Sequence, residues 1–271
     1  MRASPLSAIA VVALLIFAGC TGLPGTGGDQ PSPDASPADF PKASAIDQSV
    51  FDTHATALAN TSFTLTVERT RKESDPTAEQ NVTYSNETTR FLAEPGASQY
   101  LVHASGDDYL LPNVSIFSNG STVYSLFREN NRTDVSTVAS VPVFNESGDQ
   151  YLWRWWFGND SRNWPENAAI DATFQREGVE TFQGVPVMRY EATGVDALAD
   201  SSLVGENASS RYGEFSATLL LDEDGVIRHF EYEIIFADSP IRRMATAYTL
   251  SDVGSTHVEK PDWVANATAG S

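Results

Sequence analysis

One cysteine, three lysines and no apolar run longer than eleven residues are what this 271-residue chain has to work with. A lone thiol, Cys20, excludes a disulfide within one copy and any thiolate metal cluster. Eleven apolar residues, Ala8 to Ala18, fall short of the roughly 20 that a helix needs to cross a bilayer. The chemical signatures are missing too. There is no H-E-x-x-H, no P-loop, no dinucleotide-binding glycine pattern and no nucleophile elbow. His54, His103, His229 and His257 are far apart in sequence, with no metal-ligand spacing among them. No cofactor and no metal are implied, and catalysis is not expected.

The position of the single cysteine is informative. A basic start (Met1, Arg2) precedes the apolar run, and Ala18-Gly19-Cys20 gives a small-residue exit. This is the form of a lipoprotein signal peptide over residues 1–19, although the residue three places before the cysteine is Phe17 rather than an aliphatic. Only one arginine precedes the run, so twin-arginine export has no support. The expectation is cleavage before Cys20 and lipidation of its sulfur, which tethers the chain to the extracellular face of the cell membrane.

Charge is one-sided: 36 acidic residues, 19 Asp and 17 Glu, stand beside 14 Arg and 3 Lys. Without Arg2, 36 acids against 16 bases leave a net charge of −20. Such a surface repels nucleic acid and anionic headgroups. At molar salt the Debye length is about 3 Å, so the repulsion among these carboxylates nearly vanishes. Scarce lysine and abundant carboxylate read as a halophilic protein.

From Cys20 to Lys42 the chain is mostly Gly, Pro, Ser, Asp and Ala, a composition that buries no core and reads as a disordered tether. A single domain is expected over 43–265, with a short tail, 266–271. Ile46, Val50, Phe51, His54, Ala57 and Leu58 fall at helical spacing, predicting an amphipathic helix that ends by Asn60. Alternation then predicts strands at Phe63–Val67, Val82–Tyr84, Gln99–Ala104, Val114–Phe117, Thr122–Phe127, Ala172–Glu180, Pro186–Ala192, Ser216–Leu221, Val226–Phe236 and Arg242–Leu250. Asn119-Gly120 and Asp224-Gly225 supply hairpin turns, and consecutive hairpins imply an antiparallel meander covered on one side by the first helix. The fold class is α+β. Asp222, Glu223, Asp224 and Gly225 also invite a calcium reading, but Leu220 breaks the ligand pattern and the turn reading prevails.

Two features remain. Ten of thirteen asparagines begin N-x-S/T, namely Asn60, Asn81, Asn86, Asn113, Asn119, Asn131, Asn145, Asn159, Asn207 and Asn266, where chance gives about two or three. They are candidate glycosylation sites on an exported chain. The segment Tyr151 to Phe157, read as a central helical insertion, concentrates Trp153, Trp155, Trp156 and Phe157. That is more apolar surface than one helix face buries. These residues are either core or the lip of an apolar cavity.

The stretches HATALANTSFTL (54–65), TFQGVPVMRYEATG (181–194), ATLLLDEDGVIRHFEYE (217–233) and YTLSDVGSTHVEKPDW (248–263) resemble a family of haloarchaeal cell-surface lipoproteins of unknown function. Helix-first order followed by a meander is similar, more loosely, to the LolA-like and mycobacterial lipid-carrier lipoproteins. That second resemblance implies a curved, open half-barrel over the N-terminal helix and the central insertion, with an apolar cavity. Two functions stay open: a carrier of a lipid-like apolar ligand, and a structural or protein-interaction module of the surface. Fold analogy does not choose between them.

A Cys20→Ser chain expressed in its own host should leave the membrane pellet for the soluble fraction, because stable anchoring needs the two-chain lipid that this sulfur is expected to carry. Full retention in the pellet contradicts the anchor.

Overall fold

The first strand of the domain pairs with the last, and everything else is laid out from that seam. The computed structural model describes residues 35–46, 48–74, 82–106, 113–129, 132–139, 172–198 and 208–268. All of these lie in one compact unit, Pro33–Ser271. Helix α1 (Gln48–Ala59) leads into β1 (Phe63–Ser74), β2 (Val82–Ala93), β3 (Tyr100–Gly106), β4 (Asn113–Ser118), β5 (Thr122–Glu129) and β6 (Arg132–Ala139). After residues 140–174 come β7 (Gln175–Phe182), β8 (Val185–Thr193), a four-residue helix α2 (Ala208–Arg211), β9 (Tyr212–Asp222), β10 (Ile227–Phe236), β11 (Ser239–Ser251) and a terminal helix α3 (Trp263–Thr268).

The strands form one open, curved antiparallel sheet in the order β6-β5-β4-β3-β2-β1-β11-β10-β9-β8-β7. Two meanders therefore run outward from a common centre. β1 and β11 join them through nine register pairs, from Thr64 opposite Ser251 to Lys72 opposite Arg243. Sequence neighbours β6 and β7 end at opposite edges.

Alternation sorts the side chains onto two faces. On the α1 face, Leu65 and Val67 of β1, Phe91 of β2, Tyr248 and Leu250 of β11, Phe230 of β10, Leu219 of β9 and Tyr190 of β8 join Val50 and Leu58 of the helix in the main core. Burying each large side chain contributes about 1.5–3 kcal/mol. A smaller core lies on the other face, where Val258, Val264 and Trp263 cover Phe117, Leu92, Leu101 and Tyr124. Glu94 holds that covering segment, accepting from the Val258 backbone N–H at 3.0 Å and meeting His257 Nδ1 at 2.9 Å. Both contacts keep its carboxyl below the usual range, the backbone bond first.

Compared with the sequence reading, the hairpins stand, the N-terminal helix stands in part, as the twelve residues Gln48–Ala59, and helices are fewer than an α+β description suggests. The expected central helical insertion falls in 140–171, outside the described residues. Order begins earlier than Ala43. Phe40 is buried, Tyr190 donates to Pro41 O at 2.6 Å, and Arg176 donates to the carbonyls of Pro37 and Phe40. The last residues assigned to the tether are thus docked on β7 and β8. β6 was not anticipated, because its Ser and Thr residues give no apolar alternation. β1 runs past Val67 through a polar stretch, where Arg71 pairs with Glu73 at 3.3 Å and Lys72 lies over the Tyr84 ring at 5.3 Å.

The β9–β10 turn seats the helix. Asp222 Oδ1 accepts from the N–H groups of Asp224 at 3.1 Å and Val226 at 2.8 Å, and Oδ2 binds Arg228 Nε at 2.6 Å. Gly225 sits at φ +77°, and a Cβ there would lie 3.1 Å from Thr53 Cγ2 on α1. Gly225→Ala should therefore cost about 1–2 kcal/mol in chemical denaturation. An unchanged midpoint contradicts this packing.

Candidate functional site

α1 is fastened to the sheet by one buried polar link. The Ile227 backbone N–H donates to His54 Nδ1 at 3.0 Å, so Nδ1 is the acceptor and the proton resides on Nε2. Nε2–H then donates to Tyr248 Oη at 2.8 Å, with the rings edge-on at a 5.8 Å centroid separation. Burial, aided by the nearby Arg228 guanidinium, lowers the His54 pKa to about 3. Burial also pushes the Tyr248 hydroxyl up. Both groups are neutral and fully enclosed, so their role is to position the helix.

Beyond the helix the same face stays mainly apolar. Register places Thr89, Ala104, Val114 and Phe127 in one row across β2 to β5, continuing from Val67. Phe91, Val102 and Ile116 form the next row, which ends in Ser125 of β5. Burial fades along both rows. Val102 and Phe91 are buried, Ala104, Val114 and Ile116 are half-exposed, and Phe127 is 40% exposed. A large aromatic at the exposed end of an apolar row is a surface that can accept an apolar body.

The opposite face behaves differently. Ala245 and Ala247 of β11 floor an open groove of about 320 Å³, walled by Glu68, Glu231, Glu233 and Thr218. Glu231 is held below the usual carboxyl range mainly by its hydrogen bond with His229. Arg243 pairs with Glu233. Small floor residues leave the space, and carboxylates make it polar, so this groove is unsuited to a lipid chain. Among the described residues, no group of three or more His, Cys, Asp or Glu side chains is placed to hold a metal ion. No helix among them is long and apolar enough to cross a membrane.

The residues singled out from sequence fall unevenly. Cys20, Trp153, Trp155, Trp156, Phe157, Asn81, Asn131, Asn145, Asn159 and Asn207 lie outside the described residues, and Asn266 lies within α3. The other four sequon asparagines are exposed. Asn60 donates to Thr56 O at the end of α1, Asn86 accepts from Thr70 Oγ1, and Asn113 opens β4. Asn119 Oδ1 accepts from Ser121 N, Ser121 Oγ and Thr122 N, closing its turn. Its neighbour Gly120 is fixed there at φ +88°, since a Cβ would meet Ser98 O at 2.6 Å. The structure adds what sequence reasoning missed. Val114, Ile116 and Phe127 form one patch, which only register reveals. His54 is a link between elements, and its one signal was a histidine within an apolar stripe.

Residues 5–267 match a family described as of unknown function, DUF7537. No curated protein sequence matches the chain. Among solved structures, LprF from Mycobacterium bovis is similar at 12% identity, covering 79% of this chain and 95% of that one with a TM-score of 0.36. The Mycobacterium tuberculosis lipoprotein LppX is similar at 12% identity, 80% and 98% coverage and a TM-score of 0.35. A putative outer membrane lipoprotein-sorting protein domain from Vibrio parahaemolyticus follows at 10% identity, 84% and 99% coverage and 0.26. Likenesses this distant say nothing of ligand or site.

The pH dependence of folding tests the His54 link. Unfolded, the imidazole takes its proton near pH 6.5, whereas in the fold it does so at about 3. Between those values the unfolded chain binds more protons, so stability is full above the unfolded value and falls as pH drops through the window. The slope from this group is about 1.4 kcal/mol per pH unit. Urea melts across that window should show His54→Gln starting less stable than wild type but losing less per unit of acid. Equal slopes contradict the burial of a neutral His54.

Proposed function

Because the chain belongs to DUF7537, a family of unknown function, its role has to be argued from its own residues, and we propose that it binds an apolar, lipid-like ligand at the membrane surface. The exposed end of the α1-face apolar rows, at Ala104, Val114, Ile116 and Phe127, supports this most directly. Soluble chains cover such rows unless something else does so. Trp153, Trp155, Trp156 and Phe157, in the chain between β6 and β7, lie outside the described residues and are kept as candidates from sequence alone. Tethering at Cys20, on the outer face of a halophile's membrane with glycans on the exposed asparagines, would place the protein beside its source of ligand. The activity is binding, with no reaction assigned.

A second reading has its own observation. The open acidic groove over β1, β11, β10 and β9 suits a structural or protein-interaction module that docks a basic segment of another surface protein. It needs no apolar ligand.

Native mass spectrometry of protein extracted from its own membranes separates the two. The carrier reading expects a co-purifying apolar molecule. It also expects Phe127→Asp to lose that molecule while remaining folded, by about tenfold or more in occupancy, since a fully buried Phe contributes roughly 1.5–3 kcal/mol. Wild type that arrives empty and leaves an apolar dye unbound overturns it.

A further inference from the structure

His103 on β3 is set among basic groups in a chain that has few of them. It stands opposite Arg90 of β2 and opposite Ser115 of β4, and its Nδ1 lies 2.9 Å from Ser115 Oγ. Arg128 of β5 is on the same face, across from Asn113, which is two positions along β4 from Ser115. This is the face away from α1, and Arg90, His103 and Arg128 are all exposed on it.

The arrangement runs against the composition. With 36 acidic residues to 17 basic ones, carboxylates are the commonest charged neighbours an arginine has, and Arg71, Arg189, Arg228, Arg242 and Arg243 each pair with one. Among the described residues neither Arg90 nor Arg128 has a carboxylate partner. Both instead lie close enough to act on His103, whose pKa is lowered first by the partial burial of its ring and then by these two guanidinium groups. Two guanidinium groups without an acidic partner give this face a local positive charge, which favours an anion there.

The donors fit one kind of anion. Adjacent strands are about 4.8 Å apart and Arg128 is two residues along β5 from Leu126, the residue opposite Ser115, so Arg90 and Arg128 are about 16 Å apart along the sheet, a gap that two arginine side chains leaning toward each other and one bound anion span. Each guanidinium offers a planar pair of N–H donors. The His103–Ser115 contact leaves one more hydrogen over. If Ser115 donates to Nδ1, then Nε2–H is spare; if Nδ1–H donates, the serine hydroxyl is. Two forks and a third donor from between them suit a tetrahedral group with three or four acceptor oxygens, where a carboxylate offers two.

We infer that Arg90, His103, Ser115 and Arg128 form an oxyanion site that takes a phosphate group, supplied either as free phosphate or as the headgroup of a lipid. The site is back to back with the apolar rows, because Ala104 sits between His103 and Ser105 with its side chain on the other face. It is therefore independent of the proposed apolar ligand, and either can fail without the other.

The test follows the His103 imidazole resonance in the intact protein during titration with potassium phosphate and, at matched ionic strength, potassium chloride. Phosphate should produce a saturable shift and raise the His103 pKa, because the bound anion stabilises the imidazolium. Arg90→Gln and Arg128→Gln should each weaken binding by about tenfold, the loss of one charge-assisted contact, with other resonances unmoved. Arg242→Gln should bind as wild type. A second arm adds phosphatidylglycerol vesicles to the phosphate-loaded protein. Displacement of phosphate assigns the site to a headgroup, and none assigns it to the free ion. A shift that is equal in chloride, a shift that never saturates, or undiminished binding in both arginine variants overturns the site.

Discussion

The pairing of β1 with β11, locked from above by His54, is the constraint on which the rest of this structure depends. It joins the two ends of the domain, so neither meander has a covered inner edge without it. α1 precedes β1 directly, and its histidine reaches both Tyr248 on β11 and the Ile227 backbone on β10. A single neutral side chain thereby ties the first helix to the last two strands. The loop entropy of bringing such distant segments together is offset by the main core that forms on the seam.

That central seam explains where the two faces differ. α1 is twelve residues long; its buried polar link falls on β10 and β11, its side meets Gly225 of the β9–β10 turn, and its last residue, Ala59, lies against Gly96 in the turn between β2 and β3. The wing of β2 to β5 carries the same apolar alternation but receives less helix. On the reverse side the terminal segment covers Leu92, Leu101, Phe117 and Tyr124, and in the next row Arg90 and His103 are exposed while Leu126 of β5 is buried. At the open end of that wing an apolar residue faces one side and a polar or basic one the other, as Ala104 and His103 do. A sheet with two unlike uncovered surfaces is suited to two unlike ligands.

Much of this was legible in the sequence, and what was not has physical reasons. Strands such as Ser216–Leu221 and Val226–Phe236 announce themselves because they are half-buried and bounded by an Asp-Gly turn. β6 and the far half of β1 do not, because Ser, Thr and charged residues break the period-two signal there. The centre-out strand order cannot be read from local pattern at all, since it rests on β1 finding β11. The apolar patch of Val114, Ile116 and Phe127 follows from the β4–β5 register, which sets Val114 opposite Phe127. Tyr190 and Arg176 hide a further lesson: they hold the carbonyls of Pro41, Pro37 and Phe40, docking a stretch whose composition alone reads as linker. Backbone carbonyls leave no trace in composition.

The most direct test is an experimental structure of the protein taken from its own membranes without delipidation. The account predicts an apolar molecule lying on the α1 face against Ala104, Val114, Ile116 and Phe127, with His54 still bridging Tyr248 and Ile227. A wing covered there by the chain's own side chains, with no room for a ligand, would contradict it.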